Sequence, residues 1–185
     1  ALSRLTEEKG IHYLIEAYQN VKTDKKLVIA GDTSDTDDYV MKLKKLAGNN
    51  PNIIFTGFVS GKLLEEIYSN AYVYVLPSKL EGMPLSLLEA MSYGNCVIGS
   101  DIAEIADVVE DKAILFKKAN VEDLKEKLQM VCDDVELVEK YKSEASGYIC
   151  GRYNWEDVVS RTVEVYRGKK SCKEKLVENS SVASI

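Results

Sequence analysis

Apolar residues along this chain follow two different spacings, and the two alternate. Across 10–21, "GIHYLIEAYQNV", they fall at Ile11, Leu14, Ile15 and Tyr18, the period of one helix face. "KLVIAGD" (26–32) is instead a short β-branched run closed by Gly31, which predicts a buried strand and a turn. The alternation continues with a helix over 37–48 stopped by Gly48, a strand over 52–57, a helix over 62–70 and a strand over 72–77. A helix over 84–93, a strand over 96–100, a short helical turn near 105–109 and a strand over 113–116 follow. Helical spacing then fills 121–132, 135–150 and 155–167. The segment 169–185 is polar and aperiodic, and reads as a disordered tail.

Strands that alternate with helices build βαβ units around a parallel sheet, wound right-handed with helices on both faces. The predicted fold is a doubly wound α/β domain over 1–168, with extra helices at its C-terminal end. In such sheets ligands lie beyond the carboxyl ends of the strands. That rule selects the loops 3–9, 31–35, 57–60, 77–81 and 99–104.

Composition narrows the classes of function. At 185 residues and 45% hydrophobic, the chain suits one domain with a real core. A net charge of −6 without a basic stripe argues against a general nucleic-acid binder, so a bound anion has to be held by a few placed groups. Cys96, Cys132, Cys150 and Cys172 form no CxxC pair and His12 is the sole histidine, a poor set for zinc. Free thiols suit a reducing compartment, with burial the expected role of most of them. No apolar run is long enough to span a bilayer. The opening "ALSRLTEEKG" has almost no lead-in to ordered-looking sequence, and reads as a piece of a longer polypeptide.

Three segments carry candidate chemistry. In "SKLEGMPLSLLEAMSYGNC" (78–96), Pro84 suits a first helical position, so the amides of Gly82, Met83, Leu85 and Ser86 can face an anion. Helix rise and loop length put the Glu81 and Glu89 carboxylates on the order of 10–12 Å apart. Glycosidase pairs stand closer, at about 5–5.5 or 6.5–9.5 Å, so these glutamates look more like two grips on an elongated ligand. The competing reading is a solvated face shared by Ser86, Glu89 and Tyr93, with Ser86 and Glu89 as a capping box. In "SRLTEEKG" (3–10), Arg4 and Lys9 can hold a diphosphate, or can be exposed cations balanced by Glu7 and Glu8. In "GDTSDTDD" (31–38), the calcium-loop pattern is absent, and Gly31 is placed for close backbone approach to a ligand. GxGxxG, GxxxxGK[ST] and GxSxG are all missing, and His12 has no evident nucleophile partner.

Taken in order, "SRLTEEKGIHYLIEAY", "KLVIAGD", "NIIFTGFVS", "AYVYVLPSKLEGMPLSLLEAMSYG" and "NWEDVV" resemble the donor-binding half of glycosyltransferase family 4 over residues 1–167. The resemblance implies the C-terminal Rossmann-like half of a GT-B fold, with an N-terminal acceptor domain absent from this chain. It implies a retaining transferase, needing no metal or other cofactor, that moves sugar from a UDP-, GDP- or ADP-type donor to a glycan, lipid or other hydroxyl acceptor. Polysaccharide biosynthesis is the implied setting, in the cytoplasm, with the full-length protein able to lie at the inner membrane face. Arg4 and Lys9 match the basic pair on the donor diphosphate, and Glu81 the first glutamate of the Glu-x7-Glu motif, near the donor sugar. Gly82, Met83, Pro84 and Leu85 match the loop on sugar and phosphate, and Glu89 the glutamate on the ribose hydroxyls. Gly31, Phe58 and Val59 match the nucleotide pocket. The chain departs from the family pattern at Gly94-Asn95-Cys96 and across 103–107. An epimerase of the same fold and a non-catalytic scaffold are the alternative readings.

Overall fold

A computed structural model describes residues 1–33 and 38–168. Asp35, Asp37, Cys172 and the tail 169–185 lie outside the described residues. The elements, in chain order, are α1 (Ile11–Tyr18), β1 (Leu27–Ala30), α2 (Asp38–Ala47), β2 (Ile53–Gly57), α3 (Gly61–Ser69), β3 (Val73–Leu76) and α4 (Leu85–Ser92). They continue with β4 (Cys96–Ser100), α5 (Ala103–Val109), β5 (Ile114–Phe116), α6 (Val121–Asp133), α7 (Val135–Arg152) and α8 (Trp155–Tyr166). A single 3-10 turn, Glu7–Lys9, precedes α1 and was not foreseen from periodicity, since three residues carry no period.

The chain divides into two compact units, Ala1–Ile149 and Cys150–Ile185. The first contains all the strands. The second contains α8, whose N-terminal amide at Glu156 is capped by the Asn154 side chain.

Every strand pairing is parallel, as the alternation requires. β1 pairs with β2, aligning Leu27 with Ile53 and Ile29 with Phe55. β3 pairs with β4, aligning Val73 with Cys96, and β4 pairs with β5, aligning Ile98 with Ile114. The strands do not join into one sheet. They form a pair, β1–β2, and a triple, β3–β4–β5. Between the facing edges of β1 and β3 lies a cavity of about 610 Å³. At its mouth the chain start runs beside β1, with Leu2 bridged to Ala30.

Burial accounts for the residue choices. All five positions of β4, "CVIGS", are buried, as expected of a parallel strand covered on both faces. α1 turns Ile11, Leu14, Ile15 and Ala17 into the core, where they meet Leu27, Ile29, Leu43, Phe116, Leu124 and Val131. His12 sits on α1 with Nδ1 2.7 Å from the Tyr39 hydroxyl, a helix-packing contact. Of the three cysteines among the described residues, all unbridged, Cys96 is buried, Cys132 half-buried and Cys150 exposed. Packing therefore accounts for Cys96, in part for Cys132 and not for Cys150.

Gly10 turns the chain from the 3-10 turn into α1. Its φ is 66°, and a Cβ there would stand 2.1 Å from the Pro77 carbonyl oxygen. The glycine thus lets the first loop press against the loop that follows β3. Gly10→Ala is expected to cost at least ~1–3 kcal/mol, the left-handed penalty before any clash is counted. Gly48→Ala has a similar φ of 59° but nothing within 4 Å, and should cost clearly less. Urea unfolding of both variants checks this; equal losses would contradict the close approach.

Candidate functional site

The loops at the carboxyl ends of β1 and β3 both bond to the first loop, residues 3–9. The Lys79 amide donates to the Glu8 carbonyl at 2.7 Å, and the Leu5 amide to the Asp32 carbonyl at 3.0 Å. These bonds bring the segments singled out in the sequence onto one edge of the molecule.

Glu81 lies at the centre of this edge, its side chain only 6% exposed. A buried carboxylate is costly unless its oxygens are bonded. Here the Lys9 ammonium donates to Oε1 and Oε2, both at 2.8 Å, and the Ser78 hydroxyl donates to Oε1 at 2.6 Å. Ser78 is itself fully buried, and its carbonyl accepts from the Ser100 hydroxyl at 2.5 Å. A chain of polar contacts thus runs from the first loop through the β3–α4 loop to the end of β4. The alternative of an exposed Lys9 balanced by Glu7 and Glu8 does not hold. Glu7 instead pairs with Lys42 at 2.7 Å, which holds its carboxyl below the usual range.

Arg4 is exposed, and among the described residues it makes no ion pair. It lines a cavity of about 350 Å³ together with Ser3, Gly31, Phe58 and Val59. Four residues picked from three stretches of sequence, Arg4, Gly31, Phe58 and Val59, therefore share one cavity. Phe58 is 77% exposed, a large ring face left open beside that cavity. Gly31 plays a different part from the one expected. Its φ is 133° and a Cβ would lie 1.8 Å from the Ser3 carbonyl oxygen, so the close approach is to the chain's own backbone.

The start of α4 also differs in detail from the sequence reading. Pro84 is the N-cap residue rather than the first helical residue, and the Leu85 amide is already bonded to the Met83 carbonyl at 2.8 Å. Gly82 and Met83 are exposed residues, and among the described residues their amides have no protein acceptor. Ser86 and Glu89 do not form a capping box, for α4 has no side-chain cap. The Ser86 hydroxyl lies 2.9 Å from the Tyr74 hydroxyl, which donates to the Leu2 carbonyl at 3.0 Å.

Glu89 is exposed, but it is not a free solvated side chain. Tyr68, 2% exposed and at the end of α3, points its hydroxyl at Glu89 Oε2 at 2.9 Å and stacks on Tyr93. Burial pushes the Tyr68 pKa strongly up, so the phenol stays a neutral donor. Sequence reasoning missed Tyr68, Tyr74 and Ser100, which act across elements distant in the chain, and Ser78, whose bond to Glu81 three residues on lies in an irregular loop. One signal existed: the tyrosines in the otherwise aliphatic "AYVYVL", whose hydroxyls need partners when buried. Among the described residues, no group of three histidine, cysteine, aspartate or glutamate side chains is placed to hold a metal ion. No described helix is long and apolar enough to cross a membrane.

Comparison with known proteins bears on the family and the fold. The family model described as "Glycosyl transferases group 1" matches residues 1–147. An uncharacterised glycosyltransferase of Methanocaldococcus jannaschii is 32% identical over 170 residues, covering 90% of this chain and 43% of that protein. The alpha-D-kanosaminyltransferase of Streptomyces kanamyceticus is 26% identical over 171 residues, covering 90% of this chain and 44% of that protein. The chain thus spans under half the length of these curated relatives. Among solved structures, Anabaena HepE in complex with UDP-glucose superposes with a TM-score of 0.84 at 20% identity, covering 90% of this chain and 47% of that one, a likeness of fold. The molecule therefore has the Rossmann-like α/β architecture of GT-B glycosyltransferases, and the chain belongs to the glycosyl transferases group 1 family.

Proposed function

We propose that this chain is the donor-binding part of a retaining glycosyltransferase, and that its loop edge holds a nucleoside-diphosphate sugar. The observation that carries this reading is the Lys9–Glu81 pair together with the amides of Gly82 and Met83, which have no acceptor among the described residues. An ammonium has three donors and Lys9 spends two on Glu81, which leaves one for a phosphate oxygen. A carboxylate offers about four acceptor sites and Glu81 uses three, which leaves one for a sugar hydroxyl.

Each remaining residue has a part in this reading. Arg4, at the cavity rim and without an ion pair among the described residues, forks onto the diphosphate. The amides at the start of α4 add donors where the helix dipole favours an anion. Glu89, held by Tyr68, accepts from the ribose hydroxyls. Gly31, Phe58 and Val59 bound the base, with the open Phe58 ring as a stacking face. The sequence motif supports these roles, and the HepE complex with UDP-glucose supports a nucleotide sugar as the ligand.

In the reaction, the bond between the anomeric carbon and the diphosphate oxygen breaks and the diphosphate keeps the electron pair. The acceptor hydroxyl attacks from the same face and passes its proton to the leaving phosphate. Charge grows on the diphosphate as it departs, so cations and amides fixed there lower the barrier. Arg4, Lys9 and the α4 amides supply this without a metal. The acceptor binds through a part of the protein outside this chain, a glycan or lipid hydroxyl in polysaccharide synthesis, and the work is cytoplasmic. This chain alone is expected to bind donor without transferring sugar.

Calorimetry with UDP, GDP and ADP tests the reading, and no binding to any of them at millimolar concentration would contradict it. Arg4→Ala should weaken diphosphate binding about 10-fold or more, the worth of a charge-assisted bond, with stability within ~0.5 kcal/mol of the parent. Lys9→Ala should weaken binding and also cost roughly 3–5 kcal/mol of stability, since it strands a buried carboxylate. Tyr68→Phe should weaken binding of the ribonucleotide about 3–10-fold. It should also narrow the preference for ribo- over 2′,3′-dideoxyribo-nucleoside diphosphates; an unchanged preference would contradict the link from Tyr68 through Glu89 to the ribose.

A further inference from the structure

Asn95 stands where the chain departs from the family pattern, and its side chain bridges the two helices that carry Tyr68 and Glu89. It is 3% exposed. Its Nδ2 donates to the Tyr68 carbonyl and to the Ala90 carbonyl, both at 2.9 Å. Tyr68 belongs to α3, and Ala90 is the residue after Glu89 on α4. The same two places are joined a second time by side chains, where the Tyr68 hydroxyl meets Glu89 Oε2 at 2.9 Å. Asn95 thus fixes, at the level of the main chain, the two partners of that bond.

The chemistry of the amide suits the task. Its nitrogen carries two hydrogens and no charge, so one buried atom can serve two carbonyls. A hydroxyl has one hydrogen, and an ammonium would bring a charge into a buried place. α3 needs such a link, because Tyr68 is its only buried residue. The Tyr68 ring does touch Tyr74 and Tyr93, with centroids 6.0 and 5.3 Å away. Ring contacts tolerate a range of offsets, whereas an O–H···O bond is confined to about 2.5–3.0 Å.

Neither carbonyl depends on Asn95 to be satisfied. The Tyr68 carbonyl also accepts from the Ala71 amide at 3.3 Å, and the Ala90 carbonyl from the main-chain amide of Asn95 at 3.1 Å. The side-chain bonds therefore add position rather than rescue stranded groups.

We infer that Asn95 is a positioning residue for ribose recognition: it sets the spacing of α3 and α4 at which the Tyr68 hydroxyl holds Glu89 toward the ribose hydroxyls. The inference rests on the reading of Glu89 as the ribose contact. Asn95 acts through Tyr68 and Glu89, and does not touch the nucleotide itself.

A double-mutant cycle tests it. Calorimetry compares whichever of UDP, GDP and ADP binds most tightly with its 2′,3′-dideoxy form, in the parent, Asn95→Ala, Tyr68→Phe and the double variant. Asn95→Ala should narrow the preference for the ribonucleotide about 3–10-fold and leave affinity for the dideoxy form within about 2-fold of the parent. With Tyr68→Phe already present, it should narrow the preference by about 2-fold or less, since both changes act on one bond. A purely structural role would instead weaken both nucleotides alike, or add fully in the double variant, and either result overturns the inference. NMR of the parent gives a second readout that needs no variant. The Asn95 side-chain amide resonances should shift on saturation with the ribonucleotide and stay near their free positions with the dideoxy form; equal shifts overturn the inference. A ribose preference that Tyr68→Phe narrows and Asn95→Ala leaves unchanged overturns this inference alone. No binding of any nucleotide overturns it together with the reading of the site.

Discussion

The Glu81 carboxylate, closed between Lys9 and Ser78, is the contact on which the arrangement of this edge depends. It ties the loop before α1 to the loop after β3, and through Ser78 and Ser100 to the end of β4. Breaking such a buried pair from one side costs about 3–5 kcal/mol, far more than an exposed pair contributes. Each partner therefore stabilises the other's loop, and the first loop cannot move from the β3–α4 loop without stranding a charge. The closeness of Gly10 to Pro77 acts in the same direction by removing the space for a side chain between those loops.

The cluster leaves an uneven distribution of charge. Lys9 is largely neutralised by Glu81, whereas Arg4 has no ion-pair partner among the described residues. Two amides at the start of α4 add partial positive charge without adding side chains. The chain as a whole carries −6, so attraction for an anion is local rather than global. That fits a ligand held by placed donors, and it sets this edge apart from a polyanion-binding surface.

Most of the fold was legible in the sequence, and the reason lies in the helices. α1 has four apolar residues at helical spacing, and β4 opens on the apolar run 96–98 and closes on Gly99 and Ser100, so period and length identify both. The gap between the sheets was not legible, because strand order and neighbours depend on contacts that no local pattern encodes. At the site, Arg4, Gly31, Phe58 and Val59 were each picked from strand-end position and motif, and one cavity brings them together. What stayed hidden was the support beneath them. The Tyr68 hydroxyl reaches Glu89 across 21 residues, and Ser100 reaches Ser78 across 22, distances at which spacing carries no information. Ser86 read as a capping residue because its spacing to Glu89 fits that pattern; in the fold, Tyr74 and the bound chain start give its hydroxyl a different partner.

The central claim concerns where a diphosphate lies, and mapping amide shifts during a titration with UDP, GDP or ADP tests it most directly. The account predicts that the largest changes fall on Gly82, Met83, Ser3 and Arg4, with smaller ones at Gly31 and Val59, and that Arg4→Ala weakens them together. A nucleotide that binds while these amides stay still, with its changes gathered on another face of the molecule, would contradict it.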